Sequence, residues 1–399
     1  MSTAPKGFRF ATACAGFRKE GRADLALLVS DVPAVAAGTF TQNRFPAAPV
    51  LVAKAMLAER PAARAVVINS GQANACTGDE GMRNCRTTQE LVAGALGLEA
   101  SDILPASTGV IGAQLKMDLW EKAAPALAAN LGKATPEDFA RAIMTTDAFH
   151  KISHREVSLP GGVVKLVGMA KGAGMICPNM ATMLGFLTTD AAITTPMLQK
   201  ALKLAVDDTF NMVSVDGDTS TNDMVSIMAN GMAENPVIDK EGADFDLFVA
   251  VVKEICTSMA KKIAGDGEGA TKLVECTVTG APTIPLAKAI AKSVITSSLT
   301  KAAMFGADAN WGRILCAIGY TEGDFAVDTI QVDISSPKGS ILVCENGAGV
   351  AFDEDKAKEI LLEDAIHIEI AMKQGDASAT AWGCDLTYDY VKINGDYRT

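Results

Sequence analysis

"KGAGMICPNMATMLGFLTTDA", residues 171–191, is the stretch on which the reading of this chain turns. Apolar side chains surround Pro178-Asn179, and Ala181-Thr182 follows. No His, Asp or Glu lies within residues 175–185 to activate the Thr182 hydroxyl. Thr182 is therefore either a packed core residue or a nucleophile that draws its base from its own α-amino group, once that amine is freed. A free α-amine titrates near pH ~7.7–8.0, where it can serve as a general base. Freeing it requires attack of the hydroxyl on the Ala181 carbonyl and hydrolysis of the resulting ester. A residue as small as Ala181 leaves room for that attack. The residues alone leave both readings open.

The remaining composition narrows the class. The chain has 399 residues, of which 49% are hydrophobic and 21% charged, and its net charge is −11. Mean hydropathy is +0.19 and the isoelectric point is about 4.9. This is the balance of a globular enzyme with no disordered tail. No basic patch stands out, which argues against nucleic acid and acidic membrane surfaces. The start "MSTAPKGFRFATACAG" lacks the apolar stretch of a signal peptide, and no apolar run approaches the ~18 residues that span a bilayer. Nine scattered cysteines without a CxxC pair read as reduced thiols of a cytoplasmic protein.

Short apolar runs alternate with helical patterns, giving a mixed α/β class. Strands are expected at 24–33, 65–69, 163–170, 272–280, 365–372 and, at the C-terminus, 387–395. Helices are expected at 86–98, 118–131, 136–144, 195–210, 244–263 and 353–363. The third has Thr135 as N-cap and Pro136 at its first position. In 244–263, Phe245, Phe248, Val252, Ile255, Met259 and Ile263 recur at steps of three and four, forming one apolar face.

Familiar catalytic and metal patterns are absent. His150 and His154 are four apart without a third ligand nearby, so no metal site is expected. There is no GxSxG elbow for a Ser-His-Asp triad. "SVDGDTSTND" (214–223), counted as an EF-hand loop from Asp216, has Thr221 and Ile227 where Gly and Glu are required. Its polar side chains are expected to bond backbone groups in turns. "KGAG" (171–174) lacks the Gly-Lys-Ser/Thr of a phosphate loop. Taken alone, Lys171 is a turn lysine, Glu268 a loop acid and "STG" (107–109) a turn.

The opening stretch resembles the cleavage-site signature of the ornithine acetyltransferases, the bifunctional glutamate N-acetyltransferases of arginine biosynthesis. "NSGQANACTG" (69–78), "ASTGVIG" (106–112), "MTTDAFHK" (144–151), "SVDGDTSTND" (214–223), "GDGEGATK" (265–272), "GADANWGRI" (306–314) and "YVKINGDYRT" (390–399) also resemble family motifs, in family order.

The resemblance implies sheets sandwiched by helices in an N-terminal-nucleophile-like fold, self-processed into an α chain (1–181) and a β chain (182–399) that assemble as α2β2. It implies that Thr182 is the nucleophile, and that an acetyl group passes from N-acetylornithine to glutamate through an acetyl-Thr182 ester. No bound cofactor is implied, although some members also accept acetyl-CoA as donor. By position, Thr108 and Gly109 would form the oxyanion hole, a pairing of hydroxyl and close backbone N–H that suits a tetrahedral oxygen. Lys171 would bind a substrate carboxylate and Glu268 a substrate amino group, while Asn394 and Thr399 would complete the pocket. Thr145 and Thr146 lie in the remaining substrate motif, without a choice between them. Family members often have Thr after Thr-Thr-Asp where this chain has Ala148, so no contact is carried over there. A self-processing hydrolase or aminopeptidase, passing the acyl group to water, is the alternative function.

Overall fold

The computed structural model describes residues 4–18, 21–177 and 183–396. The first sheet is built from β1 (Phe8–Ala13), β2 (Leu25–Phe40), β3 (Ala62–Gln72), β4 (Ile103–Val110), β5 (Lys151–Leu159), β6 (Gly162–Lys171), β7 (Leu184–Thr189) and β8 (Met224–Ala229). Its order is β4-β3-β2-β8-β7-β6-β5, with β1 paired to β2. Two neighbouring pairs, β3–β4 and β7–β8, are parallel. The first six residues of β2, Leu25–Ser30, are all buried. A central strand covered on both faces reads as such a continuous run rather than as an alternation.

The second sheet holds β9 (Leu273–Ala281), β10 (Gln331–Ser336), β11 (Gly339–Glu345), β12 (Ala348–Gly349), β13 (Ala365–Ala371) and β14 (Ala377–Cys384). Its order is β12-β11-β10-β13-β9-β14. Helices α1 (Ala48–Glu59), α2 (Gly78–Leu96), α3 (Met117–Ala129), α4 (Pro136–Ala142), α5 (Thr195–Asp208) and α6 (Ala243–Gly265) surround the first sheet. Helices α7 (Ile284–Thr296), α8 (Ser298–Phe305), α9 (Trp311–Gly319) and α10 (Glu354–Leu361) accompany the second, and α11 (Tyr388–Asp396) lies against the pocket.

On one face of the first sheet, α4 presses Phe139 edge-on between Phe10 and Phe186, with ring centroids 5.9 and 5.7 Å away. Thr135 caps α4 as its sequence predicts, exchanging hydrogen bonds with Asp138. On the other face lie α5 and α6. The predicted stripe of α6 is buried in full. This helix also touches β9 and β14, so a single apolar core runs from the first sheet into the second. The expected α/β class, with sheets layered between helices, is the observed one.

Strands β1–β6 precede the 181/182 junction and β7 and β8 follow it, yet all share one sheet. Lys171 pairs with Leu184 across that junction.

One expected strand is wrong. The expected C-terminal strand at 387–395 is instead the helix α11, Tyr388–Asp396. No sheet edge receives this segment, and a helix brings residues four apart onto one face. Tyr390 and Asn394 accordingly line the same pocket wall.

Candidate active site

Strand ends converge on one pocket. β4 ends just beyond Thr108 and Gly109, β6 ends at Lys171, and β7 and β8 begin side by side at Leu184 and Met224. Gly109 has φ +131°, and a Cβ there would sit 2.3 Å from the Gly71 carbonyl carbon. Only glycine allows β3 and β4 to close together at this end. The buried amide of Asn222 ties the same end to the acidic loop, donating to Ala73 O at 2.6 Å and Ser107 O at 2.8 Å.

A cavity of about 210 Å³ opens here. Thr108, Gly109, Thr145, Thr146, Lys171, Glu268 and Asn394, which the motifs pointed to, all line it. Ala181, Thr182 and Thr399 lie outside the described residues. Lys171 is buried, not a solvated turn residue. Its Nζ donates to Thr108 Oγ1 at 3.4 Å. That bond occupies an acceptor site of the hydroxyl and leaves its O–H free to donate into the cavity. Glu268 is 9% exposed, and the Asn394 amide donates to its carboxylate at 2.9 Å. Gly174 makes room for that carboxylate, since a Cβ there would fall 2.3–2.5 Å from it.

Behind the cavity lies a buried charge network. Lys151 donates to Asp147 at 2.7 Å and to Asp266 at 2.5 Å. Asp147 also accepts from Thr145 N and Gly172 N, at 2.9 and 2.6 Å, and lies 4.0 Å from Lys171 Nζ. Burial pushes Asp147 up, but the Lys171 and Lys151 charges and its hydrogen bonds outweigh it and hold the carboxyl well below the usual range. Burial lowers the Lys171 ammonium, opposed first by Asp147. The backbone N–H of Ala148 donates to Asp266, so this position serves the network through its main chain.

The matching family model is the ArgJ family, over residues 9–399. The chain belongs to the ArgJ family. The arginine biosynthesis bifunctional protein ArgJ of Nitratidesulfovibrio vulgaris is 53% identical over 400 residues, covering 100% of both chains. The protein of the same name from Caldanaerobacter subterraneus subsp. tengcongensis is 49% identical, over 99% of this chain and 98% of its own. The crystal structure of arginine biosynthesis bifunctional protein argJ from Bacillus halodurans is similar at 47% identity and TM-score 0.52, covering 54% of this chain and 100% of its own. This ArgJ family member is a glutamate N-acetyltransferase of arginine biosynthesis.

Sequence reasoning missed several pocket residues. The loop 214–223 was expected to make only local turns. It does make them, with Asp216 accepting from Asp218 N and Ser220 from Asn222 N. It also supplies Asp216, Ser220 and Asn222 to the pocket wall. Asp147, Lys151 and Asp266 were within quoted motifs without a role. Their signal was the pairing of acids and a lysine in two motifs far apart in sequence, which only the fold brings together.

Proposed function

We propose that the chain cuts itself between Ala181 and Thr182, and that Thr182 then carries acetyl from N-acetylornithine to glutamate. Lys171 binds the α-carboxylate that donor and acceptor share. The freed α-amine of Thr182 takes the hydroxyl proton as Oγ attacks the N-acetyl carbonyl. Thr108 O–H and Gly109 N–H bond the oxygen that becomes negative, which stabilises the tetrahedral state more than the ground state. The C–N bond to the acetyl carbon breaks as the Thr182 ammonium returns its proton to the departing nitrogen. Ornithine leaves, its other amino group having been held by Glu268 and the pocket completed by Asn394, Thr399 and one of Thr145 and Thr146. Glutamate enters the same place and its amine takes the acetyl group from the ester.

The observation that carries this reading is the polarity of this cavity. Lys171, joined to Thr108, stands on its wall together with Glu268, joined to Asn394. Such a pocket suits a zwitterionic amino acid. Its volume of about 210 Å³, below the range for drug-sized ligands, suits a small amino acid.

The solved Bacillus halodurans chain supports processing, because it is covered in full by 54% of this chain. The piece 182–399 is 218 of 399 residues, about 55%. The word "bifunctional" in the relatives' names supports acetyl-CoA as a second donor. The α and β pieces pair as α2β2 in the cytoplasm. No helix among the described residues is long and apolar enough to cross a membrane.

Incubation of the purified protein with N-acetylornithine and glutamate tests the reading. N-acetylglutamate is the expected product. Acetate in its place would make the protein a hydrolase.

A further inference from the structure

The acidic loop grips the chain on both sides of the junction. Upstream, Asp216 accepts from Met175 N at 2.6 Å and Ile176 N at 2.8 Å, and Thr219 Oγ1 donates to Cys177 O at 2.9 Å. Met175 is held at φ +55°, a conformation that costs energy for a residue with a side chain. Downstream, Met224 N donates to Met183 O at 3.0 Å, which fixes the residue that follows Thr182.

At this downstream grip lies Asp223, which the transfer mechanism does not use. It is 2% exposed, and its Oδ2 has no hydrogen-bond partner among the described residues. Unpartnered buried carboxyl oxygens are costly and call for an explanation. Asp223 lines a second cavity of about 30 Å³ with Thr108, Lys171, Met183, Ser220 and Asn222. One water needs roughly 10–15 Å³. Lys171 and Asp223 are the charged residues of that lining.

We propose that Asp223 is the general base for the second half of self-cleavage, acting on a water held in this small cavity. The proposal rests on the self-cleavage reading above. Attack by Thr182 Oγ on the Ala181 carbonyl breaks the peptide C–N bond, and the released amine takes up the hydroxyl proton. The product is an ester from Ala181 to Thr182 Oγ. The water oxygen then bonds to the ester carbonyl carbon while Asp223 takes one of its protons. The ester C–O bond breaks with its electron pair on Oγ, and Asp223 returns the proton there. The new Ala181 carboxyl ionises. Burial raises the Asp223 carboxyl well above its ordinary value, against the Ser220 and Thr41 hydroxyls, the Lys171 charge and the Met183 N–H. A carboxylate that burial makes more basic takes a water proton more readily.

The test compares full-length wild type, Thr182→Ala, Asp223→Asn and Asp223→Ala on denaturing gels, with and without hydroxylamine added to the folded protein. Wild type should be cut and Thr182→Ala should resist both cutting and hydroxylamine. A wild-type chain that stays whole would sink the self-cleavage reading itself, whatever the Asp223 variants do. Both Asp223 variants should melt cooperatively and process about 10²-fold more slowly. Their uncut band should split with hydroxylamine, leaving a hydroxamate on Ala181, because the ester forms and waits. Processing at the wild-type rate in Asp223→Asn would overturn the proposal. So would an uncut band in both folded variants that hydroxylamine does not split, since the carboxyl would then act before the ester.

Discussion

Single atoms decide much of this pocket. Thr108 accepts from Lys171 and keeps its O–H to give, and Gly109 exists as glycine because a Cβ would strike Gly71. Thr108→Ala should therefore lower kcat with a smaller effect on KM, since the hydroxyl bonds an oxygen charged mainly in the tetrahedral state. Loss of one such donor costs about 2.7–4 kcal/mol. Steady-state kinetics checks this, and a raised KM with unchanged kcat would make Thr108 a ground-state binder instead. Gly174→Ala puts a methyl group within 2.3–2.5 Å of the Glu268 carboxylate. It should raise KM for N-acetylornithine while leaving the fold's melting temperature nearly unchanged, and an unaltered KM would remove Glu268 from amino-group binding. Lys171 and Glu268 were singled out only through the family resemblance of the motifs that hold them; taken alone they read as a turn lysine and a loop acid, and the structure places both on the pocket wall. Asp223 was not singled out, because its character comes from burial, and burial is a property of the fold.

Elements bring the distant motifs together. The turn before β5 carries Asp147, the end of α6 leads to Asp266, and Lys151 lies between their carboxylates. Asp147→Asn leaves Lys151 and Lys171 short of a buried anion and should cost about 3–5 kcal/mol, read by urea or thermal unfolding. The pH dependence has a defined sign. Asp147 is held below its unfolded value of roughly 3.9, so its contribution is present above that pH and fades as pH falls through the lower folded value. The stability gap between wild type and Asp147→Asn should thus be full at neutral pH and shrink only below pH ~4. A gap that shrinks between pH 7 and 5 would place the effect elsewhere. Asp266 is shifted the other way, by burial first, so acid does not weaken every member of the network alike. The long elements were legible because periodicity in α6 or α5 reports which face is buried. The C-terminal segment was not. Aromatic and β-branched residues favour a strand only where a sheet edge can receive them, and α11 instead presents Tyr390 and Asn394 to the pocket.

At the scale of the whole molecule, the fold ties together the two pieces that the proposed cut would make. Strands from both sides of residue 181 share one sheet, and α6 joins that sheet to the second. After cutting, the 1–181 and 182–399 pieces should therefore co-elute in native buffer and separate only in denaturant. Separation in native buffer would contradict the shared sheet. In the proposed reading, this pocket serves two substrates with a common carboxylate in turn. Transfer should then be ping-pong, with parallel double-reciprocal lines at several glutamate concentrations, and Lys171→Met should weaken both substrates together. Intersecting lines would mean direct transfer in a ternary complex. The central claim, that Thr182 holds the acetyl group between donor and acceptor, is tested most directly by mass spectrometry of the 182–399 piece after exposure to N-acetylornithine alone. The account predicts the mass of one added acetyl group, located on Thr182 and removed by glutamate. An unmodified Thr182 alongside released ornithine would contradict it.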